Sequence, residues 1–201
     1  MSSKCFKLAL LVIFIVVFPA CLVAGDNDNT LIPLAIGNSW VYQIDMFMGD
    51  SPTPVQTLTD TAVIKSKKEW GGHTWYSFSE PSAESAEYLR YSDNGQYRLL
   101  IDRENPDGKA ERFADLPLKV NDSWIIANKS ITVVVEAAEE TVTVPAGEFD
   151  GCYRCRLSMP EGVEGTMWLK PGVGQVKMEF SMSKGDMKIR STRMMKEYHL
   201  K

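Results

Sequence analysis

The chain has 201 residues, 44% of them hydrophobic and 24% charged, so a packed core is expected. Its formal net charge is −4, and no run of lysine or arginine is interleaved with aromatics. The electrostatic footprint of a nucleic-acid binder is therefore missing.

The first residues read MSSKCFKLALLVIFIVVFPACLVAGDNDNT. Lys4 and Lys7 precede an apolar run over residues 8–18, which has the length of a secretory signal and falls short of the roughly 20 residues that span a bilayer as a helix. Residues 1–20 are expected to be a signal peptide. FPAC resembles a bacterial lipobox in placing Ala20 before Cys21 at the end of the apolar run. That resemblance implies cleavage before Cys21 and lipidation of its thiol. Leu22 is not the aspartate that resembles an inner-membrane retention signal, which favours an outer membrane. Cleavage after Gly25, giving a soluble secreted protein, and an uncleaved membrane anchor are the alternatives. Residues 21–30 read as a polar tether, and residues 31–201 as a single β domain.

Within that domain the chain matches itself. PLAIGNSW at 33–40 aligns with PLKVNDSW at 117–124, setting Trp40 on Trp124. In a slightly shorter register Gly72 falls on Gly151, Ser79 on Ser158, Pro81 on Pro160, Gly95 on Gly174 and Gln96 on Gln175. The difference is accommodated by the proline-containing stretch MFMGDSPTPVQ. Two tandem units are expected, over about 31–102 and 115–182, with a C-terminal strand over 186–199.

Both units read as antiparallel β structure. SWVYQID, QTLTDTAVIKSK, SWIIAN and SITVVVEAAEETVTV are rich in β-branched and aromatic residues, and GG, DNG, NPDG, PAG, PGVG and KGD punctuate the chain as turns. In QVKMEFSMS, Val176, Met178, Phe180 and Met182 alternate with polar residues, as on a half-buried strand whose partner is MKIRSTRMMKEYHL. The expected fold is all-β, with roughly ten strands in a curved antiparallel sheet, an open barrel or two packed sheets.

Chemical motifs are sparse. Cys152 and Cys155 have CxxC spacing, but on a strand residues three apart face opposite sides and are roughly 10 Å apart, beyond the reach of a disulfide unless the backbone bulges or turns there; an unusual local or intermolecular disulfide is the alternative. There is no second CxxC, and His73 and His199 are the only histidines, so structural thiols are expected rather than a zinc or redox site. No GxSxG, HExxH or GxxxxGK[ST] occurs, and a hydrolase would have to rest on His73. Seven of the ten methionines lie from Met159 onward. They suggest a soft apolar lining more readily than a copper(I) site, because Met178 and Met182 share a face with Val176 and Phe180. Trp40, Trp124, Trp168, Val176, Met178, Phe180 and Met182 are the candidate ligand-lining residues. Neither a cofactor nor a metal is expected.

VTVPAGEFDGCYRCRL and MWLKPGVGQVKMEF, with the opening PLAIGNSWVYQ, together resemble a pattern found in many uncharacterised bacterial secreted proteins and lipoproteins. More loosely, the architecture is similar to the half-barrel of periplasmic lipoprotein carriers. The first resemblance implies fold and compartment but no activity. The leading expectation is a non-enzymatic cell-envelope lipoprotein, anchored through Cys21 and facing the periplasm or the exterior, that binds a lipid or other apolar ligand on a concave β face. The alternative is a structural module that docks another envelope protein, and a His73 hydrolase is more distant. An open pocket of several hundred Å³ lined by the methionines separates the first from the second.

Overall fold

A computed structural model describes residues 30–79, 86–92, 95–101, 110–126, 130–160, 163–184 and 187–201. The expected signal peptide, Cys21 and all of the tether but Thr30 lie outside the described residues. The strands are β1 (Ser39–Met48), β2 (Gln56–Trp70), β3 (His73–Ser79), β4 (Ala86–Ser92), β5 (Gly95–Ile101), β6 (Ala110–Asp115), β7 (Ser123–Ile126), β8 (Ile131–Val144), β9 (Gly147–Ser158), β10 (Glu164–Lys170), β11 (Gly174–Lys184) and β12 (Met187–His199). They number twelve where about ten were expected. The region holding β4 to β6 carried no clear alternation to announce three short strands.

All twelve form one antiparallel sheet in the order β6-β5-β4-β3-β2-β1-β12-β11-β10-β9-β8-β7. The chain thus makes two six-stranded meanders that are joined where its first strand pairs with its last, in a register that sets Trp40 against Tyr198 and Ile44 against Arg193. The outer strands β6 and β7 touch, and Ala114 of β6 shares a buried cluster with Trp124 and Ile126 of β7. The result is an all-β, nearly closed barrel. The matched residues of the two halves fall at corresponding places. Trp40 and Trp124 are second in β1 and β7, Ser79 and Ser158 close β3 and β9, and Gly95 and Gly174 open β5 and β11. β12 is the sixth strand of the second meander and β11 is its partner.

Local chemistry explains the connections. Gly71 and Gly72 both have positive φ, 58° and 76°, as the two central residues of a type I′ hairpin require. They link β2 to β3 with Trp70 facing His73 across the turn. In β10 the burial alternates strictly, with Gly165, Met167 and Leu169 turned inward. The long hairpin of β8 and β9 departs from this regularity. Its register shifts three times between Val135 and Val142, and Glu139 takes a positive φ of 60°. Successive bulges bend a hairpin and increase its twist. The tip accordingly reaches across to β12, where the Ala146 N–H donates to the Met195 carbonyl at 3.1 Å and the Phe149 ring lies 5.7 Å from that of Tyr198.

Two apolar clusters fill the interior. One gathers Leu31, Trp124, Val133, Cys155, Met167 and Leu169, and the other Trp40, Tyr42, Ile64, Phe149, Val176 and Met195. Ile32 packs against both. It belongs to a strap, residues 30–34, that crosses the end of the barrel where β1 begins and β12 ends. The Ile32 N–H donates to the Tyr91 hydroxyl at 2.8 Å, and that hydroxyl donates in turn to the Ile32 carbonyl. Burial holds the Tyr91 phenol well above its ordinary pKa, which keeps the donor protonated. On the other side of the opening the Gly172 N–H donates to the Thr30 carbonyl at 2.8 Å. The fully buried Asn38 ties the strap to Lys201: its amide donates to the Pro33 carbonyl at 2.8 Å and accepts from the Lys201 N–H at 3.0 Å.

Two outcomes follow from this packing. A Cβ at Gly165 would stand 2.6 Å from two carbons of the Phe180 ring. Overpacking costs about 1–3 kcal/mol, whereas replacing a strand glycine gains only about 0.5–1 kcal/mol. Gly165→Ala should therefore destabilise the protein by about 1–2 kcal/mol in urea denaturation, and Phe180→Leu should remove most of that penalty. Tyr91→Phe should cost about 1–3 kcal/mol, because it strips both backbone groups of Ile32 of their partner. Hydrogen exchange at the Ile32 amide should accelerate in that variant.

Candidate functional site

Below the strap lies a cavity of about 160 Å³ built from both meanders. Its wall comprises Ile32 of the strap, Trp40 and Tyr42 of β1, Phe78 of β3, Glu87 and Leu89 of β4, Phe113 of β6, Met167 and Leu169 of β10, Gly174 and Gln175 of β11, and Arg193 of β12. The polar ends of its aromatics are held by backbone. Trp40 Nε1–H donates to the Val173 carbonyl at 2.8 Å, and the Tyr42 hydroxyl donates to the Gln175 carbonyl at 3.1 Å. The rings thus present apolar surface to the space, with Trp40 and Phe78 in tilted contact at 5.9 Å. Arg193 lies 4.0 Å over the Tyr42 ring, with Nη2 at 3.7 Å from Oδ2 of the buried Asp60.

A larger concavity of about 300 Å³ runs along the outside of β9 to β12. Thr166, Glu179 and Thr192 are cross-strand neighbours there. They alternate with the core-facing Met167 and Met178, so they point to solvent. Arg156, Arg190 and Glu164 flank them, so that two arginines balance Glu164 and Glu179. A solvent-open trough of this kind holds few apolar walls, and the smaller, aromatic-lined cavity is the better ligand site on chemical grounds.

The structure disperses the expected lining. Trp40 lines the cavity. Trp124 is buried under the seam of β6 and β7, among the first apolar cluster. Trp168 lies on the opposite face of β10 from Met167, half-buried against the second apolar cluster, where its Nε1–H donates to Glu140 at 2.9 Å and the Lys177 ammonium stands 4.9 Å over its ring. Arg154 pairs with the same Glu140 at 2.8 Å. Val176 is wholly buried in the second cluster, while Met178 and Phe180 pack against the first. Met182, opposite Ile189, lines neither concavity.

A bulge divides this set. Trp168 pairs with Lys177 and Leu169 with Gln175, so Val176 is the extra residue. The cavity is also smaller than the methionine-lined pocket expected, and Met167 is the one methionine on its wall. Tyr42 and Met167 were within reach of sequence reasoning, since each sits on a strand that alternates with its neighbours. Phe78, Leu89 and Phe113 carry no local signal of a shared site.

The CxxC residues divide between the two clusters, Cys155 in the first and Cys152 in the second, and both are buried free thiols. Cys152 Sγ donates to the Phe149 carbonyl at 3.3 Å. Burial pushes the Cys152 thiol up to about 11. Burial, reinforced by the Glu136 charge, pushes Cys155 up to about 12. His73 is exposed at the start of β3 and lines neither concavity. Among the described residues no three His, Cys, Asp or Glu side chains are grouped as metal ligands.

No protein-family model and no characterised protein matches the chain. Two crystal structures are similar to it in part. A candidate exported protein with a YmcC-like fold from Bacteroides fragilis has a TM-score of 0.49 at 16% identity, over 86% of this chain and 100% of that one. A candidate lipoprotein from Parabacteroides distasonis has a TM-score of 0.41 at 16% identity, over 85% of this chain and 99% of that one. Neither likeness is close enough to establish a common fold.

The buried thiols set a pH dependence. On unfolding they ionise from about pH 9, whereas the folded pair holds its protons to about pH 11 and 12. The unfolded state then binds fewer protons, so stability should fall as pH rises through that window. Cys152→Ala/Cys155→Ala should flatten the decline in denaturation midpoints between pH 8.5 and 10. In the native parent neither residue should react with a thiol reagent at pH 8, and both should react in denaturant.

Proposed function

We propose that this protein is a cell-envelope lipoprotein without catalytic activity, anchored through acyl chains on Cys21, that holds a small apolar ligand in the cavity beneath its strap. The observation that carries the reading is the aromatic-walled cavity itself. Each of its two indole and phenol donors is already satisfied by backbone, leaving ring faces as the principal surface. Apolar concavity with a few placed polar groups is the common form of a ligand site. The volume argues for a ligand about the size of a single ring or a chain end, since cavities of about 150 Å³ accept benzene and drug-sized ligands need about 300–1,000 Å³.

The strap adds a spatial argument. Ile32 is a wall of the cavity, and its segment is the first part of the domain after the tether. An extended tether of about 3.3–3.6 Å per residue would hold this end of the barrel within roughly 30 Å of the acylated Cys21. The strap that covers the cavity would then face the membrane, from which an apolar molecule can be drawn.

Native mass spectrometry of the mature protein, purified from the envelope of its own host, tests both parts. The parent should carry a diacylglyceryl-sized addition at Cys21 and a non-covalent apolar mass of fixed size. Cys21→Ser should lose the first and keep the second. Met167→Trp, and the milder Leu89→Phe, should keep the first and lose the second, with thermal melts to verify folding. An unmodified Cys21 overturns the anchor, and a chain that is empty and binds no apolar probe overturns the ligand site.

A further inference from the structure

The hairpin of β2 and β3 stands at the strap end of the barrel. β1 begins opposite Val63, whereas β2 continues to Trp70 before turning at Gly71 and Gly72. The charge of this hairpin runs against that of the chain. Lys65, Lys67 and Lys68 stand beside a single acid, Glu69, in a protein of net charge −4, and the Glu69 carboxylate already accepts the Thr74 hydroxyl at 2.6 Å. Lys65 and Lys67 are exposed. Folding then sets cations against aromatic rings. Lys68 Nζ lies 4.1 Å from the Trp70 ring centroid and 4.3 Å from that of Tyr88, and the Arg90 guanidinium stands 5.1 Å over Trp75. Trp70 and Tyr88 are half-buried. Lys68 and Trp75 are cross-strand partners, as are Ser77 and Tyr88, on the face of the sheet turned away from the core-packed Tyr76 and Phe78.

We infer that this hairpin seats the strap end of the barrel on an anionic lipid surface, with the lysines among the headgroups and Trp70 and Tyr88 at their boundary with the acyl chains. Tryptophan and tyrosine suit that boundary because one end of each is apolar and the other polar, and lysines near the surface are drawn to anionic headgroups. Lys67 and Lys68 point to opposite faces of the hairpin, because neighbours alternate along a strand. They therefore flank the tip instead of converging on one ligand, which suits a plane of phosphates better than a single bound anion. The remainder of the molecule is net negative and is repelled by such a plane, so the hairpin decides which end approaches. The inference rests on the Cys21 anchor, whose tether enters the domain at this end.

The mature chain carrying Cys21→Ser, which has no acyl anchor, tests it against vesicles of phosphatidylcholine with and without phosphatidylglycerol. Co-sedimentation should rise about tenfold with the anionic lipid and fall again at high salt, which screens exposed charges. Lys67→Glu/Lys68→Glu should abolish the gain, while Lys188→Glu, at the far end of the barrel beside Asp50, should leave it intact. Trp70→Ala should keep the preference for phosphatidylglycerol but lose most of the quenching of tryptophan emission by lipids brominated on their acyl chains. Thermal melts verify that the variants fold. A parent indifferent to phosphatidylglycerol, or a charge-reversed hairpin that still prefers it, overturns the inference. So does retention on an anionic polysaccharide without binding to vesicles, which gives the hairpin to a glycan. Since no acyl chain takes part, these failures leave the anchor standing, whereas an unmodified Cys21 in the parent with vesicle binding intact removes the anchor alone.

Discussion

The pairing of β1 with β12 is the constraint on which the rest of the molecule depends. Each meander alone would present two open edges, and an unpaired edge is a template for association with other chains. Joining the first strand to the last converts four edges into two, and curvature then brings β6 and β7 into contact. The ladder also decides what faces the interior. With Trp40 opposite Tyr198 and Tyr42 opposite Met195, the indole and phenol of β1 reach the turn between β10 and β11. A one-residue slip would place these rings in solvent, because side chains alternate faces along a strand.

The cavity is a consequence of how those rings are fixed. Their polar ends are tied to Val173 and Gln175, so the rings cannot turn inward to fill the space. Ile32 closes it from above because Tyr91 and Gly172 grip the strap from opposite meanders. Two buried groups beside this framework stand out against the rule that interior polar atoms are paired. The Gln96 amide, wholly buried, has no partner at either end, and neither does the Trp124 indole nitrogen. Gln96 is the residue that aligns with Gln175 in the internal match, so both copies carry a buried amide with unmet hydrogen-bonding capacity. By contrast, the charges on the outer face contribute little. Arg154, Arg156, Glu136 and Glu140 are all about a third or more exposed or close to it, and such pairs are worth about 0–1 kcal/mol.

How much could be read in advance differs sharply between fold and site. The all-β class followed from β-branched strands and turn dipeptides, which act locally. The pairing of β11 with β12 was equally legible, because a short turn joins two alternating segments. The burial of Cys152 and Cys155 agrees with strand geometry that forbids a local disulfide. Of the expected lining residues, Trp40 alone stands on the cavity wall. Trp168 misleads as a cavity residue, because the alternation of β10 puts Met167 on the cavity side and Trp168 on the other, half-buried against the second cluster beside Glu140 and Lys177. Val176 misleads for another reason, since a single-residue bulge splits an apparently continuous apolar face.

Short-range chemistry therefore specified strand character, turn positions and the separation of the two thiols, because each depends on residues within a few positions of one another. Which faces meet across the barrel was settled by contacts between residues far apart in the chain, such as Trp40 with Val173 and Ile32 with Tyr91. No local pattern encodes those distances. They arise from closing a twelve-stranded sheet, where sheet curvature, bulges and the path of the strap set the space that remains inside.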